Sequence, residues 1–311
     1  MSQSFEPRPI PLITWRNMAP PFTAHPYFQH GEAFPFESRS GQFSLINAWW
    51  LSEAALLAYA PEEFAGPRFE TAGFDNLWFF SGPSTQCYVA AARDLAIVAF
   101  RGTECDLGGD PEALWQILAD LSVDLDIRWV DAQGGGRIHR GFRDGLNEIW
   151  TDLRSRLESL ATSGRALWIT GHSLGGALAL LAAARIERFA EAHGVYVFGA
   201  PRIGDKGFAK EYAPRAFRFL NNNDLVPHLP PVPYADLGDL RYIDSSGIIH
   251  ERIGRWQQWT DEIQGHLKCL RENLRQWLHD PAASLPDGIK DHTPLLYALH
   301  IWNNLVARRE T

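Results

Sequence analysis

Four short runs in the middle of the chain carry almost no polar residue: LAIVAF at 95–100, ALWIT at 166–170, VYVFG at 195–199 and AFRFL at 216–220. A strand without a polar face must be covered on both sides, which is the condition of a strand inside a parallel sheet. Between these runs the spacing predicts helices over 142–161 and 174–192, and further helical patterns follow at about 261–279 and 293–308. The alternation predicts an α/β fold, a mostly parallel central sheet flanked by helices. Upstream, NLWFF at 76–80 and QCYVAA at 86–91 read as two shorter strands. Ser44 is placed to cap a helix over LINAWWLSEAALLAYA that stops before Pro61.

Residues 1–43 are of another kind. They hold Pro7, Pro9, Pro11, Pro20, Pro21, Pro26 and Pro35, so this arm can be neither helix nor central strand and is expected to run extended over the surface. No repeat, low-complexity tract or composition shift divides the remainder, and residues 1–311 read as a single domain.

Charge and cysteine content narrow the function classes. Lys and Arg number 29 against 37 Asp and Glu, a formal charge of −8, which lacks the basic footprint of a nucleic-acid binder. Cys87, Cys105 and Cys269 are odd in number and far apart, so they suit neither a disulfide framework nor a zinc site. No run of 18 apolar residues predicts a transmembrane span. The proline-bearing N-terminus lacks the basic head and apolar run of a secretory signal, which makes the cytoplasm the default location and leaves non-classical export open.

Chemistry concentrates at Gly171-His172-Ser173-Leu174-Gly175-Gly176, directly between the run ALWIT and the helical run ALALLAAARIERFA. G-x-S-x-G is weak by itself, and a glycine-rich loop with a capping serine would also produce it. Its position at a strand-to-helix turn gives it content. Such a turn forces the serine into a strained backbone, needs small flanking residues, and lifts the hydroxyl above the sheet edge. The Leu174 N–H, at the helix start, then faces any oxyanion formed there.

A serine hydroxyl needs a base, and the base needs an acid to orient it. On this kind of sheet the order along the chain is serine, acid, histidine. Asp224 follows AFRFL within Asn221-Asn222-Asn223-Asp224, at the carboxyl end of a predicted parallel strand and so on the serine's edge. Asp205 follows a loop, and Asp236, Asp239 and Asp244 lie beyond a proline cluster. Of the histidines downstream, His292 sits in a loop before the last helix, where it can turn over the sheet edge; His250 is the reserve. His228 is too near Asp224, and His266, His279 and His300 fall in or at the end of helical patterns. Asp291 is expected to cap the last helix. A second oxyanion donor is expected after LAIVAF, where Thr103 in Arg101-Gly102-Thr103 offers both an N–H and a hydroxyl.

AFRGT at 99–103, IHRGF at 138–142, GHSLGGALA at 171–179, FGAPRIGD at 198–205, NNNDLVP at 221–227 and DHTPLLY at 291–297 together resemble the class 3 lipase family, the fungal-type triacylglycerol lipases among the α/β-hydrolases. They stand in family order over about residues 95–305. The resemblance implies an α/β-hydrolase fold, with Ser173 as nucleophile, Asp224 as acid, His292 as base, and Thr103 and Leu174 as oxyanion donors. It implies a serine ester hydrolase acting on acylglycerols, with no metal or organic cofactor and a lipid or ester as partner. Phospholipase A1, feruloyl or cutinase-like esterase, an exported antibacterial lipase toxin and a lipid binder without catalysis are the alternatives. The family also places a lid after the RGT loop. At 104–121, Gly108-Gly109 offers a hinge, Asp110 a cap, and Leu114, Trp115, Ile117, Leu118 and Leu121 an apolar face for transient contact with a lipid interface.

Overall fold

LAIVAF forms a strand buried at all its positions, as a strand covered on both faces must be. The computed structural model, which describes residues 5–14, 17–18, 20–102, 129–254, 257–258, 260–261, 264 and 287–310, places it within an eight-stranded sheet. In chain order the strands are β1 (Asn76–Ser81), β2 (Gln86–Ala91), β3 (Leu95–Phe100), β4 (Trp129–Asp131), β5 (Arg137–His139), β6 (Ala166–His172), β7 (Ala192–Phe198), β8 (Gly204–Asp205), β9 (Ala216–Asn221), β10 (Tyr234–Ala235), β11 (Asp239–Ile243) and β12 (Ile249–His250). The sheet order is β1-β2-β3-β6-β7-β9-β11-β12. The stretch from β3 to β11 is parallel, so the carboxyl ends of β3, β6, β7, β9 and β11 share one edge. Antiparallel strands finish both sides, and β10, β8, β5 and β4 make a separate small sheet.

The helices are α1 (Leu45–Leu57), α2 (Glu62–Thr71), α3 (Arg140–Asn147), α4 (Trp150–Thr162), α5 (Leu174–Ile186), α6 (Lys206–Glu211), α7 (Asp287–Lys290) and α8 (Pro294–Glu310). Ser44 caps α1 as expected, its side chain accepting the Asn47 N–H. Alternate strand residues face opposite cores. Leu95, Ile97 and Ala99 pack with Trp168, Tyr196, Trp49 and Trp302 on the α1 and α8 side. Ala96, Val98 and Phe100 pack with Leu153, Leu157 and Leu181 on the side of α4 and α5. Each such leucine or valine taken wholly out of water contributes about 1.5–3 kcal/mol. The two cores clamp the sheet and fix its carboxyl edge.

Several elements differ from expectation. The helical pattern at 142–161 is broken at Glu148 and Ile149, giving α3 and α4, and the one expected over 174–192 ends at Ile186. Helix α2 forms despite Pro67 in its interior. The arm has neither helix nor strand in its described residues 5–43, in line with its prolines. It does not lie wholly on the surface, however: Phe5, Ile13, Phe28 and Phe34 are buried. Proline spacing reports the backbone but not which way the aromatic side chains turn.

An ionic anchor secures this arm. Glu53, fully buried in the middle of α1, accepts from Arg8 at 3.3 Å, His25 at 2.8 Å and the Trp49 indole at 3.1 Å. Burial alone would raise the Glu53 carboxyl, but His25 and Arg8 outweigh it and hold it below its ordinary value. The bland expectation for the cysteines holds where it can be seen: Cys87 is a free, buried thiol raised far above its usual range by burial. Cys105 and Cys269 lie outside the described residues, as does most of the helical pattern at 261–279.

Candidate active site

Strand β6 ends at His172, and Ser173 makes the turn into α5 with φ 56° and ψ −129°. A serine in that left-handed region is strained and persists only where its surroundings hold it. They do so from both sides. The Ser173 N–H donates to the Phe198 carbonyl at 3.0 Å, while the Ser173 carbonyl accepts from Gly176 at 2.9 Å and Ala177 at 3.3 Å. The flanking glycines are required by backbone contact. A Cβ on Gly171 would stand 2.3 Å from the Gly175 carbonyl, and one on Gly175 would stand 2.3 Å from the Phe100 oxygen. Leu174 opens α5, so its N–H has no acceptor within the helix.

The three side chains singled out in the sequence converge above this edge. His292 Nε2 lies 2.9 Å from Ser173 Oγ, and His292 Nδ1 lies 3.0 and 2.9 Å from the two Asp224 oxygens. A carboxylate only accepts, so Nδ1 carries the proton and Nε2 presents its lone pair to the serine hydroxyl. Asp224 is fully buried, and His292 nearly so. Asp224 also makes an Asx turn: its Oδ1 accepts the Val226 N–H at 2.9 Å.

Four further residues complete the arrangement, and the sequence reading did not single them out. Gly199 follows β7, between the strands that bear Ser173 and Asp224, with φ +58°. A Cβ there would lie 2.8 Å from Asp224 Oδ2 and 2.9 Å from His292 Nδ1, so only glycine lets the acid and base meet across β7. Tyr297, on the first turns of α8, donates to Asp224 Oδ2 at 2.5 Å and accepts from the Asn221 N–H at 3.1 Å. Burial first, and then Asp224, raise its phenol far above the ordinary range, which keeps it a donor. His172 Nε2 donates to the His292 carbonyl at 2.7 Å. Burial, with His292 beside it, holds the His172 imidazole well below its usual pKa, leaving Nδ1 to accept from the Tyr59 hydroxyl at 2.8 Å. The neutral ring thus props the backbone of the base. No short sequence pattern links Tyr59 to a histidine 113 residues away.

Asp291 corrects an expectation. It does not cap α8, which begins at Pro294; its carboxylate instead accepts from Asn222 Nδ2 and the Asn223 N–H, both at 3.1 Å. Its carbonyl accepts from Asn221 Nδ2 at 2.9 Å, so the loops carrying acid and base are sewn together. Burial chiefly, and also nearby Asp224, push the Asp291 carboxyl up to about 7, against the hydrogen bonds from Asn223 and Asn222. Its ordinary value is 3.8, so between the two values the folded chain keeps a proton that the unfolded chain has released. Stability contributed by the protonated form is therefore present at low pH and lost as pH rises through about 7. Asp291→Asn is expected to flatten that part of the profile. Urea midpoints measured between about pH 4 and pH 8 should fall for the parent chain and stay level for the variant. Equal slopes would overturn this assignment.

The remaining sequence candidates lie elsewhere or beyond view. His250 bonds Asp244 Oδ2 at 2.7 Å, away from Ser173. Asp205 caps α6 and pairs with Arg137, and Asp236 pairs with Arg202 and Arg218. Asp239 lies at the start of β11, and His228 in a short turn after Asp224. Thr103, the candidate lid at 104–121, His266 and His279 lie outside the described residues. Among the described residues no group of His, Cys, Asp and Glu is placed to hold a metal ion, and no helix is long and apolar enough to cross a membrane.

Residues 97–234 match the family described as lipase (class 3). A secreted mono- and diacylglycerol lipase of Fusarium solani is 30% identical over 163 residues, 46% of this chain and 49% of that one. A phospholipase A1 of Oryza sativa subsp. indica is 29% identical over 253 residues, 64% of this chain and 59% of that one. Among solved structures, the Rhizomucor miehei triacylglyceride lipase aligns with a TM-score of 0.51 at 24% identity, covering 63% of this chain and 78% of that one. The chain spans about half the length of the first curated relatives it matches. The structural likeness identifies the fold as that of the α/β-hydrolases.

Proposed function

We propose that the chain is a member of the class 3 lipase family, whose description its residues 97–234 match, and that it hydrolyses carboxylic esters of lipids, with acylglycerols as the substrate class, through an acyl-enzyme on Ser173. The observation that carries this reading is the continuous path from Ser173 Oγ through His292 to Asp224. Ser173 Oγ attacks the ester carbonyl while His292 Nε2 takes its proton, and Asp224 stabilises the resulting imidazolium. The tetrahedral oxyanion accepts from the Leu174 N–H and, by the family pattern, from Thr103. His292 then protonates the departing alcohol. Water, deprotonated by the same nitrogen, attacks the acyl-enzyme and releases the acid. The step needs no group beyond these side chains and water. The segment at 104–121 serves in this reading as the lid that meets a lipid interface.

Phospholipase A1 activity is the second reading, favoured by the match to the rice enzyme over 64% of this chain. Both would leave the same acyl-enzyme and differ in the leaving alcohol. The deciding experiment offers the protein p-nitrophenyl esters of rising chain length beside emulsified triacylglycerol and phosphatidylcholine. Acylglycerol turnover that climbs once the substrate forms a separate phase is the expected result. Preference for the phospholipid would replace it by the second reading, and failure to hydrolyse any ester would overturn both.

A further inference from the structure

Away from the serine, helices α3, α4 and α5 enclose a concave pocket of about 470 Å³ whose wall carries Arg143, Arg154, Arg185 and Arg188. Asp131 is the one carboxylate in that wall among the described residues. Four guanidinium groups against one acid is an unusual balance in a chain of net charge −8. Three of them have partners close by. Arg143 pairs with Asp144 at 2.5 Å, Arg154 with Glu158 at 2.7 Å, and Arg188 donates to the Gln133 carbonyl at 2.5 Å.

Arg185 differs. It stands over the Trp150 ring at 5.0 Å and makes no ion pair or hydrogen bond among the described residues. Burial, the largest influence, lowers its pKa to about 10, with Arg143 and Arg188 acting in the same sense. It remains a cation at neutral pH, partly desolvated and facing like charges. The last turn of α5 accounts for some of this, since the dipole at a helix C-terminus favours a cation there. It does not account for three more around the same hollow.

We propose that this pocket binds a phosphate group. Guanidinium forks match the oxygens of a phosphate in pairs, and a half-buried cation that no described carboxylate pairs gains most from receiving one. Trp150 and Phe189 line the same wall and give an apolar flank to whatever the phosphate is attached to. The site is separate from the ester chemistry: Arg185 lies twelve residues beyond Ser173, about 18 Å along α5. It does not depend on the hydrolase reading. A soluble molecule and a lipid headgroup carry the same phosphate chemistry, and the pocket suits both.

Calorimetric titration of the whole protein at low ionic strength, with inorganic phosphate as the probe, tests it. Phosphate is expected to bind, and Arg185→Gln to weaken it about tenfold or more, as loss of a charge-assisted contact does. Arg308→Gln, which removes the same charge from the exposed end of α8, should leave binding unchanged. Arg143→Gln is the second pocket variant, and unchanged circular dichroism certifies that each variant is folded. Flotation with phosphatidylcholine vesicles, with and without phosphatidic acid, separates the two sources. Capture only by phosphatidic acid vesicles assigns a headgroup, and phosphate binding without capture assigns a soluble ligand. No binding of either probe at about 10 mM phosphate, or equal weakening by Arg308→Gln, overturns the proposal.

Discussion

Ser173→Ala is expected to lower ester turnover by about 10⁴-fold or more while leaving KM near that of the parent, because nucleophile and base act as one unit. The fold should survive. The hydroxyl contacts His292 Nε2 and supports no packing, and the strained turn is held by backbone hydrogen bonds that alanine retains. Initial rates on the best p-nitrophenyl ester, with a urea midpoint to certify folding, decide the matter. A folded variant with parental turnover would remove Ser173 from the chemistry and the proposed function with it.

Gly171→Ala is expected to have the second largest effect, and on stability rather than rate alone. The new methyl would sit 2.3 Å from the carbon and oxygen of Gly175 and 2.7 Å from the Gly176 nitrogen. All of these belong to the backbone of α5, which is buried on nearly every side, so neither the strand nor the helix can yield locally. Overpacking of this kind costs about 3 kcal/mol or more. Denaturant unfolding should show a midpoint shift with an unchanged slope. If the variant were as stable as the parent, the close approach of β6 and α5 would not be what demands glycine there.

The sequence reveals those features whose physical cause is local. Ser173 is legible because strand, glycines and helix are adjacent in the chain. Asp224 is legible because a parallel sheet puts all its carboxyl ends on one edge, so a residue just past β9 must lie near one just past β6. His292 follows from where loops can reach. What escapes is set by distant partners. Gly199 looks like an ordinary loop glycine until Asp224 and His292 are seen to meet over it. Tyr297 lies in an apolar helical pattern, and its hydroxyl is assigned only by an acid 73 positions away. Asp291 fits a capping position by pattern alone, yet the asparagine loop claims its oxygens first. The buried aromatics of the arm were hidden for the same reason. The oxyanion role proposed for Leu174 follows from its place at the start of α5.

The way the arm is fastened bears on how the molecule comes apart. The Arg8 N–H donates to the Asn303 side chain, Asn303 returns a bond to the Arg8 carbonyl, and the Trp302 indole donates to the Glu6 carbonyl. These contacts join positions nearly 300 residues apart, with the Glu53 anchor beside them. Fraying normally starts at a chain end, where few bonds resist it. Here residues 6–8 can leave α8 only by breaking these bonds, and can leave α1 only by taking Arg8 from the buried Glu53 carboxylate. The start of the arm and the last helix are therefore coupled in opening.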